Sequence, residues 1–188
     1  MMPMSADTSP FSFEAYGISI DYGQNPANRA AQMLSFQVGS AEVSVHADNH
    51  TIPIRQASCL MLASLGLDNS EIGKRVGNSK LTVKAHLAAG FHQLQVVGRS
   101  ALALSFIHHG IYQIDKLGEP LLLTPQQAAA VEAAADGSNN DEIAALLHIA
   151  SDTVKVHLAR ARKVNHEVRR EGLILRNLVS RPQFLHHT

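Results

Sequence analysis

Apolar and polar positions change their rhythm at about residue 50, and that change divides the chain. From Phe11 the period is two. Tyr16, Ile18, Ile20 and Tyr22 alternate with Gly17, Ser19 and Asp21, and Leu34–Val38 and Val43–Val45 alternate again around Gly39-Ser40. This predicts about three short strands, the last two joined as a hairpin, with a short helix over Ala27–Leu34. Residues 11–50 therefore read as a small β-rich element. It is too small to stand alone and is expected to pack on the first half of the remaining chain or on a partner. Residues 1–10, rich in Met, Ser, Pro and Thr, read as a disordered N-terminus.

Beyond residue 50 the period becomes helical. The predicted helices are Ile54–Leu65, Asn69–Val76, Lys80–Gln95 and Arg99–His109, then Gln126–Ala135, Asn140–Leu147, Ser151–Val164 and Arg170–Val179. Thr124 is placed to cap the fifth with Pro125 at its first position, and Gly66 and Gly137 stop the first and fifth. Ile111–Pro120 reads as a connector. Gly90 falls inside the third helix, where it costs about 1 kcal/mol against alanine.

The helical part also repeats itself. Ile52–Ala88 aligns without a gap on Leu123–Ala159, at an offset of 71, with 13 of 37 positions identical. A repeat of that length is one supersecondary unit used twice. The expected architecture is mainly α. Two tandem tetrahelical helix-turn-helix domains, 51–118 and 119–188, come after the β-containing N-terminal element.

Charge changes the picture only locally. Lys plus Arg and Asp plus Glu both number 16, so the total is neutral. Residues 1–50 carry a net −4 and residues 51–118 a net +4, and basic residues gather at Lys155, Arg160, Arg162, Lys163, Arg169 and Arg170. Local patches matter more to a nucleic-acid partner than the sum does. The single cysteine, Cys59, excludes an internal disulfide and reads as an inert core thiol. His108-His109 and His186-His187 lack Cys or acidic partners at helix spacing, so no metal is expected. No other cofactor is expected. Paired carboxylates, a Ser/His/Asp order and a phosphate loop are all missing, so the chain does not read as an enzyme. With no apolar run near 18 residues and no signal-like N-terminus, the expectation is a cytoplasmic protein with no membrane partner.

A short helix, a tight turn and a longer helix carrying Thr, Lys and His form the constellation of a major-groove reader. In both copies one valine and one leucine at i and i+4 (Val83 and Leu87, Val154 and Leu158) face the core. The residues expected to meet DNA are Lys80, Thr82, Lys84 and His86 in the first copy. In the second they are Thr153, Lys155, His157, Arg160, Arg162 and Lys163. Lysine and arginine supply charge to phosphates, and arginine also pairs bidentately with guanine.

Both copies resemble the LuxR-type (GerE-like) four-helix DNA-binding domain. The second carries Leu123-Thr124-Pro125, Gly137, Asn140, Glu142-Ile143-Ala144 and Thr153-Val154-Lys155-Val156-His157. The first carries Gly66, Asn69, Glu71-Ile72-Gly73, Thr82-Val83-Lys84-Ala85-His86 and the ending Leu94-Gln95-Val96 before Arg99-Ser100-Ala101. His157–Lys163 is also similar to region four of bacterial sigma factors, which share the tetrahelical fold. The chain departs from the LuxR pattern at Asn78 in the first turn. In the second turn it departs at His148 and at Ala150, where a serine would cap and Ser151 is expected to cap one residue late.

The resemblance implies a bacterial, sequence-specific transcriptional regulator that binds double-stranded DNA, with RNA polymerase as a second candidate partner. Such domains pair through the last helix, so a homodimer or an intrachain pseudo-dimer is implied. The competing reading, favoured by the neutral charge and the altered turns, is a co-regulator or anti-activator. It would use the same scaffold to bind proteins without strong DNA affinity.

Overall fold

A computed structural model describes residues 11–13, 18–20, 34–46 and 52–185. The expected disordered N-terminus and residues 27–33 of the expected helix Ala27–Leu34 lie outside the described residues. Leu34 itself begins a strand.

Alternation produces strands as expected in β2 (Ile18–Ile20), β3 (Leu34–Val38) and β4 (Ala41–Val45), and β1 (Phe11–Phe13) adds a fourth where about three were expected. β1 and β2 form one antiparallel ladder. β3 and β4 form the hairpin, turning at Gly39 with φ +62. The helices are α1 (Ile54–Ser64), α2 (Asn69–Val76), α3 (Lys80–Gln93) and α4 (Leu102–His108), the last entered through a 3-10 turn at Arg99–Ala101. Then come α5 (Pro125–Ala135), α6 (Asn140–Leu147), α7 (Ser151–Val164) and α8 (Arg170–Val179). With the 3-10 turn counted into α4, the second four have the boundaries of the first four displaced by 71.

The connector is the main departure from expectation. Tyr112–Lys116 is a strand, β5, paired antiparallel to β4 in the order β3-β4-β5. Ile111, Tyr112 and Ile114 are buried, so the segment supplies the alternating apolar face that a third strand needs. Phe36, Tyr112 and Phe106 pack edge to face, with centroids 5.3 and 4.8 Å apart. The Tyr112 hydroxyl meets Ser64 Oγ at 2.8 Å, which ties β5 to α1, and burial pushes its pKa up. Gly118 N–H donates to Val179 O at 3.1 Å, which ties the end of the segment to α8. The small sheet thus packs on helices from both sets.

The two helical sets also pack on each other. α4 lies against α8, α1 touches α8, and α5 touches the 3-10 turn that opens α4. These contacts are reciprocal under the offset of 71. The apolar surplus of the last helices goes here: Leu102, Phe106, Leu173, Ile174, Leu175, Leu178 and Val179 are all buried. A polar fastener joins the sets. Arg169 donates to both carboxylate oxygens of Glu71, at 2.7 and 2.8 Å, and to Gly66 O. The reciprocal positions hold Gly98 and Glu142, so this fastener exists on one side only.

Candidate nucleic-acid interface

Each long helix, α3 or α7, follows a short helix with a fixed start. α2 opens with a capping box in which Asp68 accepts from Ser70 and Glu71 N–H and Glu71 accepts from Asp68 N–H. α6 opens the same way with Asn139 and Glu142. These backbone bonds hold the Asp68 and Glu71 carboxyls below their ordinary range, although for Glu71 the larger cause is Arg169. α2 and α6 end in left-handed residues, Gly77 and His148. Glycine adopts that geometry freely, whereas a histidine is strained by it.

Arg99 and Arg170 stand at equivalent places and do equivalent work. Arg99 donates to Leu67 O and Asn69 Oδ1. Arg170 donates to Ser138 O at 2.6 Å and to Asn140 Oδ1 at 3.0 Å. Each locks the last helix of its set to the start of the short helix, and partial burial lowers both pKa values. The motif alone places Arg99 in the ending of the first copy and assigns it no task. The matched pairs Arg99/Asn69 and Arg170/Asn140, 71 apart, are the signal in the sequence that points to one.

Val83, Leu87 and Gly90 are buried on α3, as are Val154, Leu158 and Ala161 on α7. At about 3.6 residues per turn, the opposite stripe is Leu81, Ala85, Ala88 and His92 on α3. On α7 it is Asp152, Val156, Ala159 and Lys163. All eight are exposed. Lys84 and Lys155 flank one side of the stripe. Thr82 flanks the other side on α3, and Thr153 and Arg160 do so on α7. These flanking residues are exposed too. His86 and His157 are half-buried on the edge nearer the core.

Of the expected contacts, Lys155 and Arg162 have partners within the chain, and Lys80 is exposed at the edge of a cleft. Lys80 lines a cleft of about 460 Å³ with Gly66, Asp68 and Arg99, beside the start of α2. Lys155 Nζ lies 2.8 Å from Asp152 Oδ1, a pairing that raises the lysine pKa and lowers the aspartate's. Arg162 is half-buried and donates to Val168 O at 3.2 Å. Arg160 and Lys163 remain exposed.

The starts of the two reading helices differ. Ser79 caps α3, accepting from Thr82 N–H at 3.1 Å. α7 starts at Ala150 with no side-chain cap, and Ser151 is already its first helical residue, so the expected late cap does not form. In α5, Gln127 completes a capping box with Thr124, which gives this glutamine the task an acid would have. Asn78, where the second set has Ile149, keeps a buried side-chain N–H₂ with no hydrogen-bond partner among the described residues.

Among the described residues no helix is long and apolar enough to cross a membrane. No curated protein and no solved structure matches the chain. Residues 121–164, the segment that runs through α5, α6 and α7, match the family model described as Sigma-70, region 4, a helix-turn-helix.

Proposed function

We propose that this chain is a sequence-specific transcriptional regulator that reads double-stranded DNA with two LuxR-type helix-turn-helix units docked as an intrachain pseudo-dimer. The observation that carries the reading is the pairing of α4 with α8. It unites two reading helices of equal length, each bearing Thr-Val-Lys-x-His. The match of residues 121–164 to a helix-turn-helix family model supports it. A pseudo-twofold pair would present its reading helices about 34 Å apart, one turn of the duplex, and so protect two half-sites as a monomer. The expected setting is the bacterial cytoplasm, with RNA polymerase as a second partner.

A specific observation favours the protein-binding co-regulator: Asp152 neutralises Lys155 in the middle of a reading face. The experiment that separates the two readings is DNA binding by the full chain and by Lys84→Ala and Lys155→Ala at several salt concentrations. The regulator reading expects weaker binding and a salt slope reduced by about 1 in each variant. Wild-type affinity and slope in both variants, or no duplex binding by the full chain, would leave the co-regulator reading in its place.

A further inference from the structure

The two reading helices carry unlike chemistry at the centre of their outward stripes. The second residue of α3 is Leu81, 76% exposed. The second residue of α7 is Asp152, whose side chain is 91% exposed. One turn on, the stripe continues through Ala85 in one helix and Val156 in the other. The first turn is the part of a major-groove helix that reaches base edges. Leucine has neither donor nor acceptor there, and its natural base-edge contact is the thymine C5 methyl. A carboxylate only accepts, and cytosine N4 offers it a donor.

The helix starts explain why each residue is tolerated. α3 is capped by Ser79 and needs no acid in its first turn. α7 lacks a cap, and Asp152 supplies the negative charge that favours a helix N-terminus. Off DNA, that carboxylate holds Lys155. On DNA, a phosphate replaces it as the lysine's partner, and the carboxylate is free to face a base.

We infer that the chain selects a non-palindromic duplex with two unlike half-sites, one placing thymine against Leu81 and the other placing cytosine against Asp152, and so binds in a single orientation. The inference rests on the proposal that α3 and α7 are both DNA readers.

The test is selection from a randomised duplex library by the full chain, by Leu81→Asp and by Asp152→Leu, followed by titration of the selected duplexes. Wild type should select a bipartite site with unlike halves. Asp152→Leu should change the preferred base from cytosine to thymine in one half only. Leu81→Asp should make the opposite change in the other half. Each exchange should alter discrimination at that base about fivefold or more, the lower end for one base contact. Both positions are exposed, so far-UV circular dichroism should match wild type. If Asp152→Leu unfolds α7, Asp152→Asn serves instead and should flatten the preference at the same base pair.

A palindromic wild-type site, or a motif unchanged by the substitutions, overturns the inference and leaves the regulator reading standing. A full chain that binds no duplex, or all duplexes alike, overturns both.

Discussion

Gly90 lies in the middle of α3, where alanine would ordinarily be better by about 1 kcal/mol. The packing reverses that expectation. A Cβ on Gly90 would lie 2.5 Å from Leu60 Cδ1 and 2.6 Å from its Cδ2, closer than such atoms pack, and Leu60 is fully buried. The equivalent positions in the second set hold Val131 and Ala161, both fully buried. The two sets thus fill one space in two ways, Leu with Gly or Val with Ala.

Gly90→Ala alone should therefore be destabilising. Overpacking costs about 1–3 kcal/mol, and the gain in helix propensity offsets about 1 of it. Leu60→Val alone removes one methylene and should cost about 1 kcal/mol. The double variant rebuilds the pair of the second set. It should return to within about 0.5 kcal/mol of wild type, a coupling of about 2 kcal/mol, in the range expected for residues in contact. Urea unfolding of the four full-length proteins, followed by circular dichroism, measures the cycle. If the losses simply add, or if Gly90→Ala alone gains stability, the close approach of α3 to α1 is not what selects glycine.

Four further outcomes are expected. Arg169→Ala removes an ion pair that joins the helical sets. Both side chains are 35% exposed, so solvent screening should hold the loss to about 1 kcal/mol, read as a lower urea midpoint. Glu71 has a folded pKa depressed below its ordinary 4.5, chiefly by Arg169. Its contribution is therefore present above the unfolded pKa and lost as pH falls through the folded one, and melting curves from about pH 6 to 3 should drop less steeply in Arg169→Ala. His148→Gly relieves a left-handed histidine (φ 53) and should raise stability by about 1 kcal/mol in urea titrations; no gain would mean the ring is held by compensating contacts. Asp152→Asn removes the carboxylate that Lys155 must leave on binding, so anisotropy titrations on arbitrary duplex should show tighter binding at a salt slope close to that of wild type, because the number of phosphate contacts does not change.

Sequence pattern reaches furthest where local chemistry decides. Asn69–Val76 and Asn140–Leu147 have the expected limits because capping boxes and left-handed end residues are local signals, and Ser151–Val164 and Arg170–Val179 keep theirs with no side chain capping either start. Periodicity overextends α3 and α4, since Leu94 and Gln95 turn out of the helix and Arg99–Ala101 tighten to a 3-10 turn. β5 is hidden from it because five residues containing Asp115 and Lys116 form a strand only when β4 offers an edge, a tertiary cause. The same applies to the interface. Lys84, Lys155 and Arg160 are exposed on α3 and α7. The pairing of Lys155 with Asp152 and the diversion of Arg162 to Val168 O depend on rotamers that spacing alone does not fix. Gly90 misleads for a related reason: its neighbour Leu60 is thirty residues away in sequence, so propensity alone reads the glycine as a cost.

The connecting strand also dictates an order of assembly. The β3–β4 hairpin leaves the ribosome first, with one edge of β4 unpaired. Its partner β5 is made only after the whole of α1 to α4, and Ser44 and Asp115, which join across the finished ladder, are 71 residues apart. Closing so long a loop from an unfolded chain is entropically costly and slow. Folding α1–α4 first shortens the search, because it carries β5 from the end of α4 back to the waiting hairpin. Until then the apolar Val43 and Val45 and an open strand edge are exposed together, the features that drive edge-to-edge aggregation. Completion of the sheet therefore reports that the first helical set has folded, before α8 arrives to pack against it.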